Sequence, residues 1–232
     1  MIQAEHVTKI FRSASQPKPH IAVSDLSCTI PGGCIYGLVG SNGAGKSTFL
    51  RLLSGVYRPD EGSIEIDGLP VWENPAAKNK IFYVPDDLYF LPQTNMKKMA
   101  AYYNALYERF SRERFNNLTE TFGLDPEANL NTFSKGMRRQ LYIALALSAK
   151  PKYILLDEAF DGLDPLARLS FKKAINSAVE EDGVSVLISS HSLRELEDFC
   201  DSYALIDKMT VSSSGDIAEK VGSFCKFQLA FL

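Results

Sequence analysis

Cysteine and histidine are sparse in this chain. The four cysteines (Cys28, Cys34, Cys200, Cys225) form no C-x-x-C pair, and none of the three histidines stands at metal-ligand spacing, which argues against a structural metal or redox centre. Long hydrophobic runs are missing too. The most apolar stretch, Leu141 to Ala149, is far short of the roughly 20 residues that span a bilayer. The opening MIQAEHVTKIFR lacks the apolar core of a signal peptide, so the chain is expected to be soluble and not exported. Nor is there an excess of positive charge: 25 Lys and Arg against 28 Asp and Glu leave a net charge of -3, so no nucleic-acid partner is expected. Repeats at solenoid periods and low-complexity tracts are absent. What remains is an ordinary folded protein of 232 residues, 45% apolar and 23% charged, long enough for one large or two small domains.

Two apolar, partly alternating stretches, IQAEHVTKIF and IAVSDLSCTI, predict strands joined by the polar, proline-bearing SASQPKPH. CIYGLVG predicts a short buried strand, STFLRLLSG a helix closed by Gly55, GSIEIDG a half-buried strand, and IFYV (81–84) another strand ended by Pro85. Apolar residues at 96, 99, 103, 106 and 110 predict an amphipathic helix within Thr94 to Phe122, followed by helical character over 137–149. The last third alternates: strand 153–157, helix 165–179, strand 184–190, helix 193–200, strand 203–207. Apolar strands separated by helices imply a mostly parallel sheet covered on both faces, interrupted by a helical insertion over roughly 86–150. From Asp216 to Leu232 the pattern supports no assignment.

Gly40, Ser41, Asn42, Gly43, Ala44, Gly45, Lys46, Ser47 and Thr48 fit G-x-x-x-x-G-K-[ST] between a predicted strand and a predicted helix. The glycines let backbone N–H groups turn inward on a phosphate at the positive end of a helix. Lys46 supplies a full charge to the β- and γ-phosphates, and Ser47 a hydroxyl to Mg²⁺, which takes few protein ligands. Tyr153-Ile-Leu-Leu-Asp157-Glu158 delivers two adjacent carboxylates at the C-terminal end of an apolar strand. Neighbouring strand residues face opposite ways, so Asp157 is placed to support the metal and Glu158 to polarise a water.

A third group completes the pattern: Phe133-Ser134-Lys135-Gly136-Met137 leading into RRQLYIALAL, then Asp161-Gly162-Leu163-Asp164, and His191 after VLISS. With the other two motifs it resembles the ATP-binding subunit of an ATP-binding cassette (ABC) transporter, over about residues 1–210. The resemblance implies an α/β fold: a P-loop NTPase core of the RecA-like kind with a mostly parallel sheet, an N-terminal antiparallel β subdomain and an inserted α-helical subdomain. One domain would fill 1–232, with 1–85 and 150–210 as core, 86–149 as helical subdomain and 216–232 as a tail. It also implies an ATPase using ATP and Mg²⁺, in which Lys46, Glu158 and His191 are catalytic and Phe11 stacks on adenine. Ser134, Lys135 and Gly136 would reach the γ-phosphate held by a second ABC ATPase subunit, identical or related. The direct reading of Ser134 is a helix N-cap, with Gly136 allowing close approach.

Three departures from the family pattern stand out. The signature reads F-S-K-G-M against the commoner L-S-G-G-Q, a form similar to that of exporter cassettes. Asp86, followed by Asp87, replaces the glutamine expected after IFYVP; a carboxylate there can bind Mg²⁺ or its water but repels triphosphate when no metal is present, and Gln93, seven residues further on, is the alternative if the loop is rearranged. The loop after Phe11 is longer than usual.

Nine aromatics lie between Phe82 and Phe115, most expected in the core, with Tyr89 and Phe90 as candidates for an exposed pocket. In the family this region seats helices of integral membrane permease subunits, which implies a cytoplasmic location on the inner face of the membrane. Two other readings exist, a cassette acting on nucleic acid or ribosomes and a phosphotransferase. Only 86 positions separate Thr48 from Ser134, too few for the long coiled coils of genome-maintenance cassettes, and a phosphotransferase has no use for Ser134-Lys135-Gly136.

Overall fold

The computed structural model describes residues 1–12, 18–90 and 94–216. Two sheets organise it. Strands β1 (Ile2–Phe11), β2 (His20–Ile30), β4 (Glu61–Ile66) and the two-residue β5 (Leu69–Pro70) form an antiparallel sheet in the order β2-β1-β4-β5. The second sheet has the order β10-β9-β3-β8-β7-β6. Its members are β3 (Ile35–Val39), β6 (Ile81–Val84), β7 (Tyr153–Leu156), β8 (Ser185–Ser190), β9 (Ser202–Asp207) and β10 (Thr210–Asp216). Every pairing from β9 to β6 is parallel, and β10 closes the edge antiparallel to β9.

The period of two along the parallel strands divides the interior. Ile35 and Val39, Ile154 and Leu156, and Val186 and Ile188 face one hydrophobic cluster. Tyr36 and Leu38, Tyr153 and Leu155, and Leu187 face another, shared with the antiparallel sheet and helix α1 (Lys46–Leu53). Strands buried on both sides read as unbroken apolar runs for this reason. Ser24 N donates to Met209 O at 2.9 Å, joining the two sheets through main chain.

Between β6 and β7 lie α3 (Met96–Leu106), α4 (Arg112–Thr121), a single 3₁₀ turn (Leu130–Thr132) and α5 (Lys135–Ala149). The helix expected within 94–122 is therefore two helices. Tyr107 leaves helical geometry at φ -115°, ψ 110°, and Ser111 caps a new start by accepting from Arg114 N at 3.2 Å. Apolar spacing carried across the break because Phe110 and Phe115 bury into the same cluster as Met96 and Met99. Helix α6 (Pro165–Asp182) begins with Asp164 accepting from Ala167 N and ends at Gly183, φ 65°, where an L residue would be strained. The helix expected over 193–200 is one turn, α7 (Leu193–Leu196). The short α2 (Pro75–Lys78) and strands β5 and β10 carry too few apolar residues to show in the pattern. Gln93 and residues 217–232 lie outside the described residues.

Candidate functional site

The strand-to-helix turn after β3 is shaped by close backbone contacts. A Cβ at Gly40 would lie 2.5 Å from Ile206 O, and one at Gly45, which sits at φ 106°, would lie 2.4 Å from Ala22 O. Both positions accept glycine alone. Gly45→Ala is expected to destabilise the fold by about 1–3 kcal/mol from backbone strain, with the carbonyl clash added. A thermal melt matching that of the parent would contradict this reading of the turn.

Gly45 is the N-cap of α1 and no side chain caps the helix there. The first-turn N–H groups consequently face the adjoining cavity at the positive end of the helix dipole. That cavity has a volume of about 400 Å³ and is lined by Gly43, Lys46, Ser47 and Thr48 on one side and by His20, Asp86 and Glu158 on others. Gly43, at φ 80°, has nothing within 4 Å of its Cβ direction, so the loop is open toward the cavity. An uncapped helix end, an open glycine loop and a buried lysine fit a triphosphate.

Lys46 is 5% exposed; its Nζ donates to Gly40 O at 2.7 Å and Ser41 O at 3.2 Å, and pairs with Glu158 Oε1 at 3.1 Å. Glu158 holds His191 Nδ1 at 3.1 Å through its other oxygen. The end of β7 thereby joins the P-loop lysine to the histidine after β8 through one carboxylate. Glu158 itself is held at φ 46°, in the left-handed region, with its N–H donating to Ser189 Oγ at 2.9 Å. Non-glycine residues at such angles store strain that the surroundings must hold in place.

Asp157 is fully buried. Its Oδ1 accepts from Ser47 Oγ at 3.0 Å and from Ser189 Oγ at 2.8 Å, while Tyr83 OH reaches Oδ2 at 3.5 Å. Burial pushes the Asp157 carboxyl up from the usual carboxylate range, against the two serine hydrogen bonds that lower it. Burial and the facing Asp157 charge push Tyr83 up to about 12. Ser47 Oγ and Asp157 Oδ1 converge as hard oxygen donors, a set that fits Mg²⁺ with water completing its shell.

The remaining residues of interest fall elsewhere. Phe11 packs edge-on against Tyr57, ring centroids 5.4 Å apart, and the cavity wall at that end is His20, its cross-strand partner. Asp86 reaches the cavity, but its Oδ1 is held by Arg139 Nη2 at 2.9 Å and lies 3.4 Å from Lys135 Nζ. Ser134 accepts from Met137 N at 3.2 Å and so caps α5. Lys135 lines a second cavity with Asp86, Asp87, Leu88 and Arg138, which meets the P-loop cavity at Asp86. Asp161, Gly162 and Leu163 form the turn after β7, against which Gly136 packs.

His20, Tyr83, Arg139 and Ser189 are site residues that the motifs missed. For Ser189 a signal existed: β8 ends in two serines that are 0% and 1% exposed, hydroxyls out of place in a buried strand unless bonded. Arg139, also 0% exposed, donates to Asp157 O at 2.8 Å and Pro85 O at 3.2 Å.

The profile of the ABC transporter family matches residues 23–161. The lipopolysaccharide export system ATP-binding protein LptB of Haemophilus influenzae is 33% identical over 93% of this chain and 90% of its own. The methionine import ATP-binding protein MetN of Protochlamydia amoebophila is 28% identical over 94% of this chain and 67% of its own. Among solved structures, the dimeric post-hydrolysis state of the ATP-binding cassette MJ0796 bound to ADP and Pi superposes with TM-score 0.83. At 21% identity over 94% of this chain and 99% of that one, it speaks for the fold.

Proposed function

The chain belongs to the ABC transporter family, as an ATP-binding subunit and an ATPase, and from that premise we propose that two cassettes close around ATP to drive a separate membrane permease. The observation that carries the pairing is that none of Ser134, Lys135 and Gly136 lines the cavity that holds Lys46. Backbone donors at the start of α5 are, in this reading, offered to the triphosphate of a second chain.

In this reading the N–H groups of 43–48 and Lys46 hold the phosphates, and His20 borders the nucleotide beyond them. Mg²⁺, held by Ser47 with Asp157 behind it, would neutralise charge that develops on the phosphate oxygens. Glu158 accepts a proton from the attacking water, and His191 fixes the orientation of its carboxylate. Asp86 is assigned to the protein side of the site, since two cations already face its carboxylate.

Energy reaches the membrane through the segment between β6 and α5. Most of its aromatics are packed: Phe82 stacks with Tyr103 and Tyr107, and Phe90 lies on Tyr142. Tyr89, Tyr102 and Leu106 are left 67%, 48% and 53% exposed, an apolar surface suited to a permease helix. Among the described residues no helix is long and apolar enough to cross a membrane, which fits a subunit carried to the membrane by such a partner. The exporter-like signature supports efflux as the direction. Movement of substrate into or out of inverted vesicles carrying the assembled complex distinguishes the two.

The purified chain is expected to release inorganic phosphate from ATP in a Mg²⁺-dependent manner with no small-molecule acceptor present. Absence of release both alone and with the permease would sink the motor reading, and transfer to an added acceptor would favour a phosphotransferase. Tyr89→Glu is expected to weaken co-purification with the permease while leaving Mg²⁺-dependent phosphate release by the isolated cassette intact; unchanged co-purification would remove Tyr89 from the seat.

A further inference from the structure

We propose that Lys135 is a positioning residue whose ammonium ties the first turn of α5 to the loops after β6 and β7 together, and so sets the direction of the backbone donors at that helix end. The proposal rests on the paired-cassette reading above. Lys135 Nζ lies 2.6 Å from Asp161 Oδ2 and 3.4 Å from Asp86 Oδ1. Asp86 and Asp161 belong to different loops, one on the edge strand of the sheet and one beside the catalytic carboxylates. The lysine ties them from the solvent side, as Arg139 does from the buried side.

Helix polarity makes this arrangement informative. Lys135 is the first residue of α5, where the dipole disfavours a cation, and Ser134 already satisfies one first-turn donor. The charge is tolerated there because two carboxylates offset it. Contact with the second loop is close: a Cβ at Gly136 would lie 2.6 Å from Gly162 O, and one at Gly162 would lie 3.1 Å from Lys135 Cγ. Small displacements of the loop after β7 are therefore transmitted to the turn that carries Ser134 and Gly136.

Two departures from the family pattern become one feature in this light. Asp86 in place of a glutamine and Lys135 in place of a glycine add charges of opposite sign to neighbouring loops. Together they form an ion pair, and Arg139, one helical turn further along, holds the same Asp86 oxygen from the buried side.

The test compares the parent with Lys135→Glu, Asp161→Lys, the exchanged pair carrying both, and Lys135→Arg. Melting temperatures are expected to stay near that of the parent, because Lys135 and Asp161 are both about half exposed. Dimer formation is followed by light scattering with Mg²⁺ and a non-hydrolysable ATP analogue. Hydrogen exchange is followed at the amides of Gly136 to Arg138 without nucleotide.

Lys135→Glu is expected to raise the analogue concentration for half-maximal dimerisation about tenfold, since each dimer holds two such modest surface pairs. It is also expected to speed exchange in the first turn. The exchanged pair recovers most of both effects, and Lys135→Arg behaves as the parent. If Lys135 instead contacted phosphate directly, the exchanged pair would dimerise no better than Lys135→Glu, and the proposal would be overturned. Unchanged exchange in Lys135→Glu overturns it as well. A parent that fails to dimerise counts against the paired cassette, and the exchange data then decide the role of Lys135 alone.

Discussion

Glu158→Gln is expected to slow ATP turnover by about 10²–10⁴-fold, the usual range for removing a general base, while nucleotide stays bound. The amide keeps the shape of the carboxylate but cannot take a proton from water. It also ends the ion pair with Lys46 Nζ at 3.1 Å, freeing the lysine for the phosphates. Closed pairs should accumulate, because binding draws the cassettes together and the step that parts them is blocked. Light scattering with saturating ATP and Mg²⁺ gives the dimer fraction, and phosphate release gives the rate. A variant that remains monomeric while binding ATP contradicts the composite site, and one that turns over like the parent removes Glu158 from the chemistry.

Lys46→Ala acts earlier. The ammonium is 5% exposed and is oriented by Gly40 O and Ser41 O, so its direction is set before any ligand arrives. Truncating one partner of a buried charge pair costs about 2–5 kcal/mol, so nucleotide affinity should fall at least about 30-fold and turnover should vanish. Glu158 would lose its cation and keep only His191, adding repulsion toward the triphosphate. Titration with a fluorescent ATP analogue reads the loss, and Lys46→Met, which keeps the apolar stem, serves as the control for packing. Parental affinity in both variants would disprove the role.

How much of this was legible in the sequence depended on whether the signal was local. The P-loop is nine consecutive residues whose types follow from the backbone turn, and the carboxylates sit at the end of an apolar strand; both could be read before any fold was known. The parallel sheet was legible for a similar reason, since strands such as β7 and β8 are covered on both faces. Edge strand β10, TVSSSGD, has one apolar residue and no alternation, so nothing announced it. His20 was missed because its relevance comes from register: pairing with Phe11 brings it to the cavity across a loop that hides the relation. Arg139 looked like one basic residue of a helix, and only the fold shows its guanidinium entering the space between β6 and β7.

That guanidinium constrains how the chain can change over evolutionary time. Arg139 has no exposed surface, its Nε finds no partner, and Asp86 is the one acidic side chain among the described residues that pairs with it. Neutralising Asp86 by a single substitution would remove that counter-charge and leave the guanidinium on the carbonyls of Pro85, Asp86 and Asp157. The loss is about 1 kcal/mol, because the carboxylate is 44% exposed, against a stability usually near 5–15 kcal/mol. Positions 86 and 139 are thus energetically coupled: a neutral residue at 86 costs less once the arginine is gone, so the two positions favour changing together.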